Sequence, residues 1–313
     1  MNEQRTAIPR DSRPMVRKIA DFPLVAMVTA VLLLLFTGQL AIAAGRALPP
    51  LDPELALVAS GAITVLLVVA VYKLAIRHLG ENPRDDLRAE HAARDLGLGL
   101  GLGFVLFSLI VGTAAVFDVY NIVGEGGAGQ LVRILVTITI IPALVEELLF
   151  RGILFRWLEE FGGSWFALAA TSALFGLAHI FNPNASALSS FAIALEAGLL
   201  LGGAYMLTRS LWMPIGLHAA WNFTQGFVWD VPVSGIDQQG LVEARLSGPE
   251  LLSGGAFGLE ASLIAMLIAT AAGAWLVRRA VQRGELVRPW WVRRRLARAA
   301  PVAAEARRAG TPD

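Results

Sequence analysis

The sequence predicts an all-α, polytopic membrane protein of about eight transmembrane helices with both termini in the cytoplasm. Three observations lead there. Hydrophobic residues make up 56% of the 313 and charged residues only 16%, where soluble domains hold ~25% charged; mean hydropathy is +0.61. Apolar runs long enough to cross a hydrocarbon core of ~30 Å recur along the chain. Lysine and arginine collect on alternate loops.

The elements follow in order. Residues 1–21 are polar and basic, with Arg5, Arg10, Arg13, Arg17 and Lys18. Phe22 to Ala44 forms the first span. Ala41-Ile42-Ala43 resembles a signal-peptide cleavage site, but the apolar run exceeds the ~7–15 residues of a signal core, so a retained helix is expected. The second span is about 54–75, after Pro49-Pro50, and a loop of mixed charge covers Arg77 to Asp95. The third, about 96–118, opens with Gly97, Gly99, Gly101 and Gly103. Small residues four apart let helices approach closely in lipid, or the glycines merely loosen the helix start; the sequence supports both. The fourth segment, about 131–157, is longer than a span requires, so it tilts or emerges from the core. Spans at about 164–181, 187–207, 211–229 and 256–277 complete the set. The sixth contains Glu196, expected to pair with a neighbouring helix rather than line a cavity.

Loop charge sets the orientation. The amino-terminal segment, the 76–95 loop, Arg151 and Arg156, Arg209 and the tail from Arg278 fall on one side of an eight-helix arrangement. The opposite loops, 45–53, 119–130, 183–186 and 230–255, hold very few Lys or Arg. Positive loops face the cytoplasm. The chain thus divides into a cytoplasmic segment 1–21, a membrane domain 22–277 with its motifs at about 130–230, and a basic tail 278–313. In the tail, Trp290-Trp291 with Arg293-Arg294-Arg295 and Arg298 suits contact with anionic lipid at the bilayer surface better than nucleic acid. After Ala299 the composition reads as disordered. Oligomeric state is not legible.

Composition also excludes some chemistry. There is no cysteine, hence no disulfide, thiol nucleophile or Cys-ligated zinc. Of four histidines, His78 and His91 lie in the charged loop, while His179 and His218 lie in apolar segments.

The chemistry centres on VEELLFRG, Val145 to Gly152. Ionisable groups within a membrane helix mark a functional site by default, although such charges are cheap at a helix end. At ~100° per residue, Glu147 and Arg151 share a face in the favourable order for an ion pair. Glu146 points ~100° away and is left free. Pro142 withholds a hydrogen bond from Ile138 and should kink the helix one turn before Glu146. His179 in the fifth span, and His218 with Asn222 four residues on in the seventh, are natural partners. Counted from Leu131, Ser164 and Leu211, Glu146 and His179 lie ~22 Å along their helices, and His218 and Asn222 ~10–16 Å. The four can meet between the midplane and the cytoplasmic side. A carboxylate and imidazole beside a confined water make a hydrolytic site, with the carboxylate as general base and His218 and Asn222 as oxyanion donors. Zinc held by Glu146, His179 and His218 is the alternative. The residues alone do not decide between them.

EELLFR at 146–151, FGLAH at 175–179 and HAAWN at 218–222 resemble the EExxxR, FxxxH and HxxxN motifs of the CPBP intramembrane proteases, also called the CAAX prenyl endopeptidase type 2 or Abi family. The resemblance covers about 130–230. It implies an eight-helix endopeptidase of the cell membrane, open toward the cytoplasm, that cleaves a membrane-associated, CAAX-like protein or peptide. Carried onto matching positions, Glu146 and His179 activate water, His218 and Asn222 form the oxyanion hole, and Glu147, Arg151 and Phe175 shape the site. Both zinc-dependent and metal-free mechanisms fit the family. Two other functions compete. A proton-coupled transporter would use Glu146 and His179 as a relay, but the related halves typical of transporters are not visible. A non-catalytic, bacteriocin-immunity-type binding protein would be expected to lack a motif residue, and none is missing.

Overall fold

The computed structural model describes residues 14–81 and 84–296. The expected disorder after Ala299, and Arg5, Arg10, Arg13 and Arg298, lie outside the described residues. Helices α1 (Pro23–Arg46), α2 (Pro53–His78) and α3 (Ala92–Val116) come first. Helix α4 runs continuously over 131–162 with two π-helical stretches, Leu135–Ile140 and Leu148–Phe155. Helix α5 covers Ser164–Ala178 and ends in a 3-10 turn, His179–Phe181. Helix α6 is Ala187–Thr208, and α7 is Trp212–Phe223 with a π-helical end, Thr224–Val228. Helix α8 is Leu263–Gln282.

Local chemistry starts and stops these helices. Pro23 and Pro53 occupy the first turns of α1 and α2, where a missing N–H costs nothing. Asp52 accepts from the Glu54 and Leu55 amides at 3.0 and 3.4 Å. Ser186 and Ser189 form a reciprocal capping box on α6, and Ser262 caps α8 through the Ala265 amide.

Six of the helices, α1, α2, α3, α5, α6 and α8, are long and apolar enough to cross a membrane. Their outward faces are apolar, as with Leu32, Leu35 and Phe36 on α1. The chain is a multi-pass membrane protein by this measure. The last span begins at Leu263 rather than near 256, because Gly255–Phe257 and Leu259–Ala261 are 3-10 turns.

The two ends of the bundle differ. At one end, buried Asp86 accepts from Arg84 Nε at 2.6 Å and from the Tyr205 hydroxyl at 2.7 Å. Arg209 spans Glu159 and Glu285 at 2.7 and 3.3 Å. Both described chain ends lie there: Arg17 donates to the His78 carbonyl and Arg293 to that of Glu160. The other end is closed by a two-stranded antiparallel ribbon absent from the all-α expectation. It consists of β1 (Tyr120–Glu125) and β2 (Val242–Leu246), with a bulge between Ile122 and Gly124. Short strands in polar loops lack the length and alternation that would announce them.

The glycine run of α3 is resolved by which glycines meet a neighbour. A Cβ on Gly99 or Gly103 would overlap the backbone of α7 at Met213 or Leu217, whereas Gly97 and Gly101 face open space. Close approach is therefore the role of the two on the inner face. Gly103→Ala should lower thermal stability by ~1–3 kcal/mol as an overpacked contact, and Gly101→Ala should not. Equal melting temperatures for the two variants would refute this.

Candidate active site

Glu147 is the hub of the polar groups. Its Oε1 accepts from Arg151 Nη1 at 2.9 Å, one turn further along α4. The same oxygen accepts from His218 Nδ1 of α7 at 3.1 Å. Arg151 also donates from Nη2 to the Ala197 carbonyl of α6 at 3.1 Å, and its guanidinium lies 4.8 Å over the ring of Phe175 on α5. All these side chains are buried. The expected ion pair is present, and it fastens four helices at one point.

Glu146 faces elsewhere, as the helical angle requires. Its side chain is 30% exposed, and its Oε2 lies 4.0 Å from His218 Nε2. That oxygen is buried without a hydrogen-bond partner. The gap is too long for a direct bond, but a water with two ~2.8 Å contacts would span it.

The other motif residues take fixed orientations. His179 Nδ1 lies 2.8 Å from the Phe175 carbonyl, which can only accept, so Nδ1 carries a proton and Nε2 is the ring nitrogen left for other partners. Phe175 stacks on His179 at 4.7 Å and meets His218 edge-on at 6.2 Å between centroids. Asn222 Nδ2 donates to the Ile138 carbonyl at 2.9 Å. This is the acceptor that Pro142, lacking an N–H, cannot serve. One amide hydrogen of Asn222 remains uncommitted.

A cavity of ≈ 30 Å³ adjoins these groups, room for a water or two at ~10–15 Å³ each. His179, His218 and Asn222 line it, together with Glu196, Ser234 and Glu260. Glu146 is not among its walls, but its Oε2 lies 4.0 Å from Nε2 of His218, which is.

Two expectations change. Glu196 does not pair with a neighbouring helix: both carboxylate oxygens are buried without hydrogen-bond partners, and the side chain lines the cavity. The cavity also extends further toward the ribbon end than the helix counts suggest. His179 is in the last turn of α5, next to Asn182, which donates to the Ser234 carbonyl. Ser234 and Glu260 belong to the loop between α7 and α8, on the ribbon side. Helix α5 takes His179 to its far end, and that loop folds inward to meet it. The cavity thus runs from the middle of the bundle, at Leu200, Leu201 and Leu217, to the ribbon side, at His179, Ser234 and Glu260.

A zinc ion would need Glu146, His179 and His218 within one coordination sphere. They are not gathered into one, and among the described residues no three His, Asp or Glu side chains are. His218 Nδ1 and His179 Nδ1 both face oxygen acceptors, which leaves their Nε2 atoms free as metal ligands do; the misfit lies in the spacing of the set. The set does not fit a zinc site as it stands.

Ser234, Glu260 and the Ala197 carbonyl were missed from sequence. A loop that folds inward has no periodicity to reveal it. Glu260 offered one signal, an acid three residues before an apolar helix.

Fold and site together define a helical membrane protein with a buried carboxylate–imidazole cluster. Residues 128–224 match the family described as type II CAAX prenyl endopeptidase Rce1-like. The match spans α4 to the end of α7, contains all three motifs and agrees with the resemblance read from them. It points to CAAX-type protease activity. No curated protein and no solved structure matches the chain.

Proposed function

We propose that this protein is an eight-pass intramembrane endopeptidase that hydrolyses a peptide bond of a membrane-associated protein or peptide. The observation supporting this most directly is the buried, partnerless Oε2 of Glu146, 4.0 Å from His218 Nε2, a seat for one water. Glu146 takes a proton from that water as general base, and His179 Nε2 helps to orient it. The new C–O bond places charge on the carbonyl oxygen, which accepts from His218 Nε2–H and the free Asn222 N–H. His218 then carries both ring protons, and Glu147 compensates the charge. Collapse breaks the C–N bond, and Glu146 passes its proton to the leaving amine. Glu147, Arg151 and Phe175 hold the imidazoles in place.

The reaction runs through the chain's own residues, without a metal. Purified protein in lipid nanodiscs should cleave membrane-associated test peptides, contain no stoichiometric zinc by elemental analysis, and keep its rate after chelation. One zinc per chain, with activity lost on chelation and restored by zinc, would replace this mechanism.

The cavity faces the extracytoplasmic side. Arg77, Arg84, Arg209, Arg279 and Arg283 all lie at the opposite end, and arginine-rich loops stay in the cytoplasm. The tail, where Arg294 stacks on Trp290 at 4.0 Å, meets anionic lipid at the inner surface. The absence of cysteine makes a labelling test clean. On intact cells, an impermeant maleimide should label Gln239→Cys, and should label Arg283→Cys only after lysis. The reverse pattern would return the site to the cytoplasm.

A further inference from the structure

Glu196 and Glu260 have no part in the hydrolytic scheme, yet both lie at the cavity. Glu196 is 1% exposed and Glu260 3%. Both oxygens of Glu196 lack a hydrogen-bond partner, and the charged group that faces it is Glu260. Glu260 comes from the turn before α8 and is held by the Ser234 amide. Within its electrostatic reach is His218, which links the pair to the reacting centre.

Burying a carboxylate is costly unless it is paired, and here two like groups share one pocket. Neither has a Lys or Arg partner among the described ion pairs. The pocket also has a definite size and wall. Its ≈ 30 Å³ admits an ammonium in place of a water, and three donors on one compact charge can divide between two carboxylates. Ile193, Leu200, Leu201 and Trp221 supply apolar wall, as a methylene stem requires when its charged tip is satisfied elsewhere.

We propose that Glu196 and Glu260 form an anionic subsite that receives the primary ammonium of a lysine side chain of the peptide substrate. This rests on the protease reading for the nature of the ligand, but not for its binding. In the free protein Glu196 has no hydrogen-bond partner and Glu260 has the neutral donors Ser234 and Gln225; the substrate supplies the cation that completes the ion pair. Selectivity follows because a norleucine in the same position would leave both acids desolvated and unpaired.

The test uses the full-length protein in nanodiscs and a set of fluorescent apolar peptides. A single lysine is walked through successive positions, with norleucine, arginine and glutamate in matched peptides. Binding by anisotropy and cleavage are measured in parallel. At one position lysine should bind at least about tenfold more tightly than norleucine or arginine, and glutamate more weakly than norleucine. Glu196→Gln and Glu260→Gln should each reduce the lysine-to-norleucine ratio toward one. Equal binding of lysine and norleucine peptides by the wild type at every position overturns the subsite, whether or not the variants fold. So does a lysine preference that both glutamine variants retain. If no peptide is cleaved but the lysine preference exists and depends on Glu196, the subsite stands and the protease reading fails. Cleavage with no such preference leaves the reverse.

Discussion

Glu146→Gln should reduce peptide cleavage by about 10²–10⁴-fold and leave the protein folded. Glutamine keeps the shape of the side chain and removes the basic oxygen. The stability cost should be small, because the side chain is 30% exposed, 4.0 Å from His218, and its Oε2 makes no hydrogen bond to lose. Glu147→Gln behaves differently, since that carboxylate holds both Arg151 and His218. Its loss should lower activity and melting temperature together. Cleavage rates and thermal unfolding of the two variants, measured side by side, separate a chemical from a supporting role. Wild-type cleavage by Glu146→Gln would remove Glu146 as the base.

Arg151→Ala should be the most destabilising single change, by ~3–5 kcal/mol. An exposed i,i+4 pair contributes only ~0.3–0.5 kcal/mol. This pair is different because Arg151 is 1% exposed and Glu147 0%, so removing one charge leaves the other buried and uncompensated. The alanine also loses the bond to the Ala197 carbonyl and the cover on Phe175. Lysine should rescue little, since a point charge cannot reach the carboxylate and the carbonyl as a planar fork does. Thermal unfolding in detergent gives the magnitude. A loss under ~1 kcal/mol would mean that water reaches the pair.

What the sequence made legible were features with local geometry. The Glu147–Arg151 pair follows from four-residue spacing, and the Ile138 carbonyl was identifiable as a vacant acceptor from Pro142 alone. That Asn222 would fill it was not, because the bond joins residues 84 apart. The same holds for His218 on Glu147, 71 residues apart. The extent of the cavity was hidden for a related reason. Distances along separate helices do not show that the 229–262 loop folds into the bundle and brings Ser234 and Glu260 to the cavity. Nothing in a polar loop's composition distinguishes one that lies on the surface from one that plugs a cavity.

The inner-face glycines of α3 bear on how a peptide gets in. Helix α7, which holds His218 and Asn222, sits backbone-to-backbone on α3 at Gly99 and Gly103. Interdigitated at that range, the two helices slide or turn only by breaking the seam. They act as an anvil. Helix α4, on which Glu146 sits, has no such seam and is interrupted by π-helical turns on both sides of that residue, an irregularity frequent at functional sites. In the proposed endopeptidase, any bending that admits a peptide would fall on α4 and Glu146 rather than on α7, which the glycine seam holds to α3.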